Sequence, residues 1–162
     1  ELGWSGICVE PCFTPFRKLH HLYKDNHRIQ CLNVAVGTTN GTQVFYESGS
    51  HLKKGDTGLL STLSKEETLR WKGTEQFIET KVEVVDFKTM LVMSEYQKFD
   101  MVSNDAEGYD YAILKQMDLI NLGVKLLVIE FNNKDQDKFD AFMLPKGYGL
   151  IHKNYENLIY AL

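Results

Sequence analysis

Four acidic residues stand where apolar, strand-like runs of this sequence end. They are Glu10, Asp105, Glu107 and Glu130. In open α/β sheets, ligands bind beyond the carboxyl ends of the strands, so these carboxylates form a candidate site. The alternative is that each carboxylate only caps the helix after its strand, because negative charge is favourable at a helix N-terminus. Three acidic strand ends together favour a site over three separate caps.

Each carboxylate suits a particular chemistry. A carboxylate at the end of a second strand, the position expected for Glu10, can accept hydrogen bonds from both hydroxyls of a ribose. Asp105 and Glu107 flank a tight strand-to-helix turn, where they could orient or deprotonate a hydroxyl nucleophile. They could equally hold a divalent cation, which favours oxygen ligands. The sequence does not separate these two roles, so we predict no definite metal ligand.

The elements that must position these residues alternate between strand-like and helix-like patterns. This alternation predicts an α/β fold with a largely parallel sheet. A hairpin turn is expected at 39–41, and the last two strands are expected to turn back at 154–156. The predicted strands are 7–9, 29–36, 43–46, 78–87, 99–103, 124–131, 149–152 and 157–162.

Two helix starts carry recognisable capping patterns. Thr14 followed by Pro15 predicts an N-cap and a first helical residue, and an apolar stripe follows at Phe16, Leu19, Leu22 and Tyr23. Ser64 and Glu67 fit a capping box, in which each side chain accepts a free backbone N–H. Further helices are expected after 108 and around 139–143.

The stretch 47–76 differs from the rest, since it is rich in Gly, Ser, Thr and Lys. Long irregular insertions in compact domains often act as lids or binding loops. A solvated surface excursion is the equally weighted alternative.

The composition indicates a soluble globular protein. The chain has 162 residues, 43% of them hydrophobic, and a formal net charge of −4. This size predicts a single domain over 1–162. The negative charge argues against nucleic acid as a partner, and no apolar run is long enough to span a membrane. Three cysteines, Cys8, Cys12 and Cys31, suit free thiols better than a disulfide scaffold, which favours a reducing, cytoplasmic location.

Two segments carry a family resemblance: residues 3–11, Gly-Trp-Ser-Gly-Ile-Cys-Val-Glu-Pro, and residues 99–110, which contain Asp-Ala-Glu-Gly. The first is similar to the second-strand segment of the FkbM family of methyltransferases, and the second is similar to that family's Asp-x-Glu-Gly segment. Weaker similarities follow in the expected order at 33–37, 128–130, 147–148 and 156–157.

The resemblance implies a Rossmann-like class I methyltransferase sheet, mostly parallel with an antiparallel C-terminal strand, that binds S-adenosylmethionine. By position, Glu10 would hold the ribose hydroxyls and Asp105 would lie near the methionine end and the acceptor. Glu107 and Glu130 would face the acceptor pocket. The residues implied near the adenine are Asn33, Val34 and Ala35.

The implied activity is O-methylation of a sugar or natural-product hydroxyl, with Asp105 or Glu107 taking up the hydroxyl proton. The implied partner is this small-molecule acceptor, and an oligomer is left open. Asn104 stands where the family usually has an aliphatic residue, which would place a polar group in the pocket floor.

The family's first strand and Gly-rich loop would precede Glu1, so the sheet is expected to be incomplete at its N-terminus. Two other interpretations therefore stay open. One is a non-catalytic remnant or interaction subunit that retains the fold. The other is a different α/β enzyme, such as a nucleotide-dependent one, although the sequence shows no phosphate loop.

Overall fold

The computed structural model describes residues 3–49 and 58–162. The chain divides into two compact units, Glu1–Tyr96 and Gln97–Leu162. Each unit contains both strands and helices, so the predicted α/β class is confirmed. Among the described residues, three strand pairings are parallel and three are antiparallel, so the sheets are less parallel than predicted. Across the described ranges, every helix falls short of the length and apolar character needed to cross a membrane.

The first unit holds a two-stranded and a three-stranded sheet. β1 and β2 pair in parallel, and β5 lies between β3, its parallel neighbour, and β4, its antiparallel neighbour. Its strands and helices are β1 (Gly6–Val9), α1 (Phe13–Tyr23), β2 (Ile29–Leu32), β3 (Ala35–Gly37), β4 (Gly41–Ser48), α2 (Lys65–Arg70), β5 (Phe77–Asp86) and α3 (Phe87–Met93).

The predicted single strand over 29–36 is wrong, because the chain leaves one sheet and enters another within it. β2 ends at Leu32, and β3 joins β5 from Ala35 onward. Asn33 marks the break: its Nδ2 donates to the carbonyl oxygens of Glu10 (2.8 Å) and Pro11 (3.0 Å). The chain at Asn33 is therefore fastened to the end of β1.

The predicted hairpin at 39–41 is also wrong. β3 and β4 do not pair with each other, since both pair with β5. Asn40 instead bridges to the end of β5, where its Oδ1 accepts from the Asp86 backbone N at 2.7 Å. The carboxylate of Asp86 in turn accepts from Thr89 N at 2.7 Å and caps α3, a helix that the sequence analysis did not predict.

The helix after β1 begins earlier than predicted. Its N-cap is Cys12, which makes no side-chain capping bond, and Thr14 lies inside the helix. The expected apolar stripe is only partly covered, because Leu22 is 71% exposed. Glu10 Oε1 accepts the backbone N–H of Cys12 at 2.7 Å, so an acidic side chain satisfies a donor at this helix start.

The predicted insertion over 47–76 contains the expected helix. Ser64 accepts the backbone N–H of Glu67 at 3.2 Å and caps α2, which confirms this half of the predicted capping box. Tyr46 and Thr62 exchange two backbone hydrogen bonds alongside β4. Residues 50–57 of this stretch lie outside the described residues.

The second unit is built on one four-stranded sheet with the strand order β6-β7-β9-β8. β6 and β7 are parallel, while β9 is antiparallel to both β7 and β8. Its elements are β6 (Met101–Asn104), α4 (Asp110–Leu114), α5 (Leu119–Leu122), β7 (Leu126–Glu130), α6 (Gln136–Met143), a 3₁₀ turn (Leu144–Lys146), β8 (Gly149–Lys153) and β9 (Asn157–Ala161).

β7 is an inner strand of this sheet, as its unbroken apolar run predicts. Leu127 and Ile129 on β7 are fully buried, as is Tyr160 on the adjacent β9. Burial of each aliphatic side chain contributes about 1.5–3 kcal/mol. This packing fixes the carboxyl end of β7, where Glu130 is the last residue of the strand.

Candidate functional site

Three of the four predicted carboxylates come together in the second unit. One carboxylate oxygen from each of Asp105, Glu107 and Glu130 lies within 4.8 Å of the other two. We call these three residues the carboxylate cluster. Glu107 and Glu130 are buried, whereas Asp105 has exposed surface, so the cluster is open to solvent on one side.

The parallel pairing of β6 with β7 produces this convergence. Asn104, the last residue of β6, is in register with Ile129, one residue before Glu130. The carboxyl ends of the two strands therefore lie side by side, and the loop after β6 begins next to Glu130. This is the arrangement that the sequence predicts from acidic residues at successive strand ends.

Asp110 organises the loop that carries Asp105 and Glu107. Its Oδ1 accepts the backbone N–H of Ala106 at 2.9 Å, and its Oδ2 accepts that of Gly108 at 3.2 Å. Asn104 Nδ2 donates to the same carboxyl at 3.2 Å. The polar residue at 104 therefore holds the loop in shape, whatever else it contacts.

The turn itself uses left-handed backbone. Glu107 has φ 44° and Gly108 has φ 94°. A non-glycine residue in this region is uncommon and usually costs on the order of 1 kcal/mol or more. The bonds to Asp110 hold the turn in this conformation, with the Glu107 side chain buried in the cluster.

Glu130 is the most strongly perturbed carboxyl of the cluster. It is 6% exposed. Burial, and then the negative charges of Glu107, Asp105 and Asp110, raise its pKa to about 9. A side-chain hydrogen bond from Asn132 acts in the opposite direction. Glu130 is therefore protonated at neutral pH unless a bound cation replaces the proton.

The other acids of the loop follow the same trend. Partial burial, and then the charge of Glu156, raise the pKa of Asp105. Burial raises the pKa of Asp110 to about 7, against the backbone hydrogen bonds from Ala106 and Gly108 that lower it. At an effective dielectric constant of about 20, two unit charges at the 4.8 Å limit of this cluster repel by about 3.5 kcal/mol. The cluster is thus able to take up either protons or a cation.

The fourth predicted carboxylate, Glu10, lies in the first unit at the end of β1. It is half-buried, and this burial raises its pKa, while the hydrogen bond from Cys12 N lowers it. Oε1 accepts that bond. The carboxylate has further acceptor capacity for hydroxyl donors, the function predicted for it.

The three residues predicted to lie near an adenine have different environments. Asn33 is exposed, and its amide fastens the end of β1 to the chain before β3. Val34 and Ala35 are only 2% and 4% exposed and belong to the core of the first unit. Their side chains are therefore enclosed by the protein core, and their position near an adenine stays a prediction.

Sequence reasoning missed Asp110 and Glu156. Asp110 is the first residue of α4, after the N-cap Tyr109, and its carboxylate accepts backbone N–H groups that precede the helix instead of capping it. Glu156 lies in the β8–β9 turn, where its carbonyl accepts Phe131 N at 2.8 Å. Only the strand order brings this turn to the end of β7, so no local pattern could have revealed it.

The cysteines are free thiols, as predicted. Cys8 and Cys31 are opposite each other in the β1–β2 register and half-buried. Cys12 is buried, and burial raises the pKa of its thiol to about 12. None of the three has the depressed pKa that activates a cysteine nucleophile.

The model of the "Methyltransferase FkbM domain" matches residues 1–150. Searches among curated proteins and among solved structures found no match.

Proposed function

Because this chain belongs to the FkbM methyltransferase family, we propose that it transfers a methyl group from S-adenosylmethionine to a hydroxyl oxygen of a sugar or natural product. The family match over residues 1–150 carries this proposal. We further propose that 1–162 is one Rossmann-like methyltransferase domain and that 47–76 is an insertion that serves as a lid or binds substrate. Within the first unit the parallel β1–β2 pair supports this fold, and within the second unit the strand order β6-β7-β9-β8 with an antiparallel β9 supports it.

In the first unit, Glu10 is the proposed partner of the cofactor's ribose. Its half-buried carboxylate retains acceptor capacity beyond the bond from Cys12 N. Hydroxyl donors would offset part of the burial that raises its pKa. Asn33, Val34 and Ala35 are the proposed support for the adenine. The free acceptor capacity of Glu10 supports the ribose part of this proposal.

In the second unit, the carboxylate cluster is the proposed acceptor end. Asp105 is its exposed member and therefore the one that an incoming hydroxyl can reach. Glu107 and Glu130 lie behind it and are buried. Asp105 is also proposed to lie near the methionine end of the cofactor, as the family resemblance implies.

The reaction requires a proton acceptor and alignment. S-adenosylmethionine supplies a methyl group on a positively charged sulfur, and holding the acceptor oxygen in line provides much of the rate acceleration. The Asp105 carboxylate would take the hydroxyl proton as the C–O bond to the methyl group forms and the C–S bond breaks, with the neutral thioether S-adenosylhomocysteine as the leaving group. Its raised pKa makes it a stronger base than an ordinary aspartate. Glu107 is the second candidate for this role.

The test is transfer of isotopically labelled methyl groups to a panel of sugar and natural-product hydroxyls. Asp105→Asn should lower kcat about 10²–10⁴-fold, the range for loss of a general base. The matched control is Asp137→Asn, which removes an exposed charge from α6 of the same unit and should leave kcat unchanged. No transfer to any hydroxyl by the folded chain would contradict the proposal. So would full activity of Asp105→Asn and of Glu107→Gln.

A further inference from the structure

We propose that Asp105, Glu107 and Glu130 bind one hard divalent cation of the Mg²⁺, Mn²⁺ or Ca²⁺ class. This site goes beyond the proposed methyl transfer, and its test does not depend on that activity. The ligand set consists only of carboxylate oxygens. Such a set suits hard cations, whereas zinc and copper favour imidazole and thiolate ligands.

The spacing of the three oxygens fits a single ion. Ligand oxygens on opposite sides of an ion are about 4 Å apart for Mg²⁺ and about 4.8 Å apart for Ca²⁺. The three oxygens of the cluster all fall within 4.8 Å of one another. One oxygen from each residue would leave at least about three coordination positions for water or an acceptor. The exposed side of Asp105 provides the path of entry.

The second observation is the unused oxygen of Glu130. This residue is 94% buried, and one of its oxygens is among the three that converge. Within the described part of the chain, its Oε2 atom is buried and accepts no hydrogen bond. A buried carboxylate oxygen without a donor is costly, because it has lost water and gained nothing in exchange. A cation bound by the Glu130 carboxylate would offset this cost, because its charge stabilises both oxygens of the group.

A proton is the other way to neutralise Glu130. A proton on Glu130, however, neutralises only one of the three converging carboxylates, and the resulting O–H group still needs a hydrogen-bond acceptor. A divalent cation offsets two negative charges and contacts all three side chains at once. The two states give opposite results when a cation is offered to the chain.

The experiment is a titration of the metal-free full chain with Mn²⁺ at pH 8, with free Mn²⁺ followed by electron paramagnetic resonance. We expect one Mn²⁺ per chain with a Kd below about 1 mM, the weak end of protein sites for divalent cations. Glu130→Gln and Asp105→Asn should each raise this Kd about tenfold or more. Asp137→Asn, the exposed control, should bind Mn²⁺ like the wild type.

Two results would overturn the site. The first is an unchanged signal of free Mn²⁺ in the presence of wild-type chain whose circular dichroism shows it to be folded. The second is binding by Glu130→Gln and Asp105→Asn with the wild-type Kd, which would place the ion elsewhere. Asp105 is exposed, so its variant keeps the test valid even if Glu130→Gln fails to fold.

Discussion

Replacing Glu130 with glutamine should remove a large part of the pH dependence of this protein's stability. In the folded chain the pKa of Glu130 is about 9, against 4.5 for an ordinary glutamate, chiefly because the side chain is buried. The folded state therefore keeps a proton that the unfolded state releases. The stabilisation of the folded state by this bound proton is fully present below pH 4.5 and is lost as the pH rises toward 9.

The size of the effect follows from the separation of the two pKa values. Each pH unit between them costs about 1.4 kcal/mol of unfolding free energy. The loss attributable to Glu130 is thus about 3 kcal/mol at pH 7 and up to about 6 kcal/mol at pH 9. Glutamine is neutral and nearly isosteric with glutamate. The free energy of unfolding of Glu130→Gln should therefore equal that of the wild type at pH 5 and exceed it by a growing amount above that pH.

The assay is urea unfolding at pH 5, 6, 7 and 8 with EDTA present, so that divalent cations do not contribute. Both tryptophans, Trp4 and Trp71, lie in the first unit, so their fluorescence would not report on the cluster directly. Hydrogen exchange of the amides in β7 and β9 reports on the sheet that carries Glu130. Asp137→Asn provides the control for loss of one acidic charge from the same unit.

Parallel plots of unfolding free energy against pH for the wild type and Glu130→Gln would refute this explanation. If wild type and Glu130→Gln lose stability equally between pH 5 and pH 8, the burial and charge around Glu130 do not shift its ionisation. If Asp137→Asn flattens the curve as much as Glu130→Gln, the effect belongs to net charge and not to the cluster.

Three further substitutions or treatments have defined outcomes. Asp110→Ala leaves two loop N–H groups without their acceptor and should cost about 2–3 kcal/mol in urea unfolding at pH 6. Tyr160→Phe removes a hydrogen bond of 2.6 Å to Asp140 and should cost about 1.5–3 kcal/mol, whereas Tyr155→Phe, at an exposed position, should cost nothing measurable. Cys12, whose thiol has a pKa of about 12, should stay unlabelled by iodoacetamide at pH 8 in the native chain and react on unfolding, as mass spectrometry can show.

Local patterns were sufficient where a segment's neighbours in sequence are also its neighbours in space. The run 124–131 predicts an inner strand, and the turn at 154–156 predicts the antiparallel β8–β9 pair; both are confirmed. Acidic residues at strand ends predict a cluster, and Asp105, Glu107 and Glu130 do converge. In these cases the apolar run in the sequence determines where the strand lies, and the acidic residue that follows the run lies at the carboxyl end of that strand.

Prediction failed where long-range pairing decides the structure. The run 29–36 has the composition of one strand, yet β3 pairs with β5, which lies about 50 residues later in the chain. The turn at 39–41 looks like a hairpin signal, but Asn40 is bonded to Asp86. Asp110 escaped notice because its importance comes from the two backbone N–H groups that it holds, which no residue pattern displays.

The most direct test of the central claim is the affinity of the chain for S-adenosylhomocysteine, measured by titration calorimetry. The proposed function predicts saturable binding at one site. It also predicts that Glu10→Gln weakens this binding about 10–100-fold, the loss expected when charged hydrogen bonds to the ribose are removed. Glu79→Gln, at an exposed position on β5, should leave the affinity unchanged. Absence of binding by the folded chain, or equal affinity of wild type and Glu10→Gln, would contradict the account and favour a protein that retains the fold without using the cofactor.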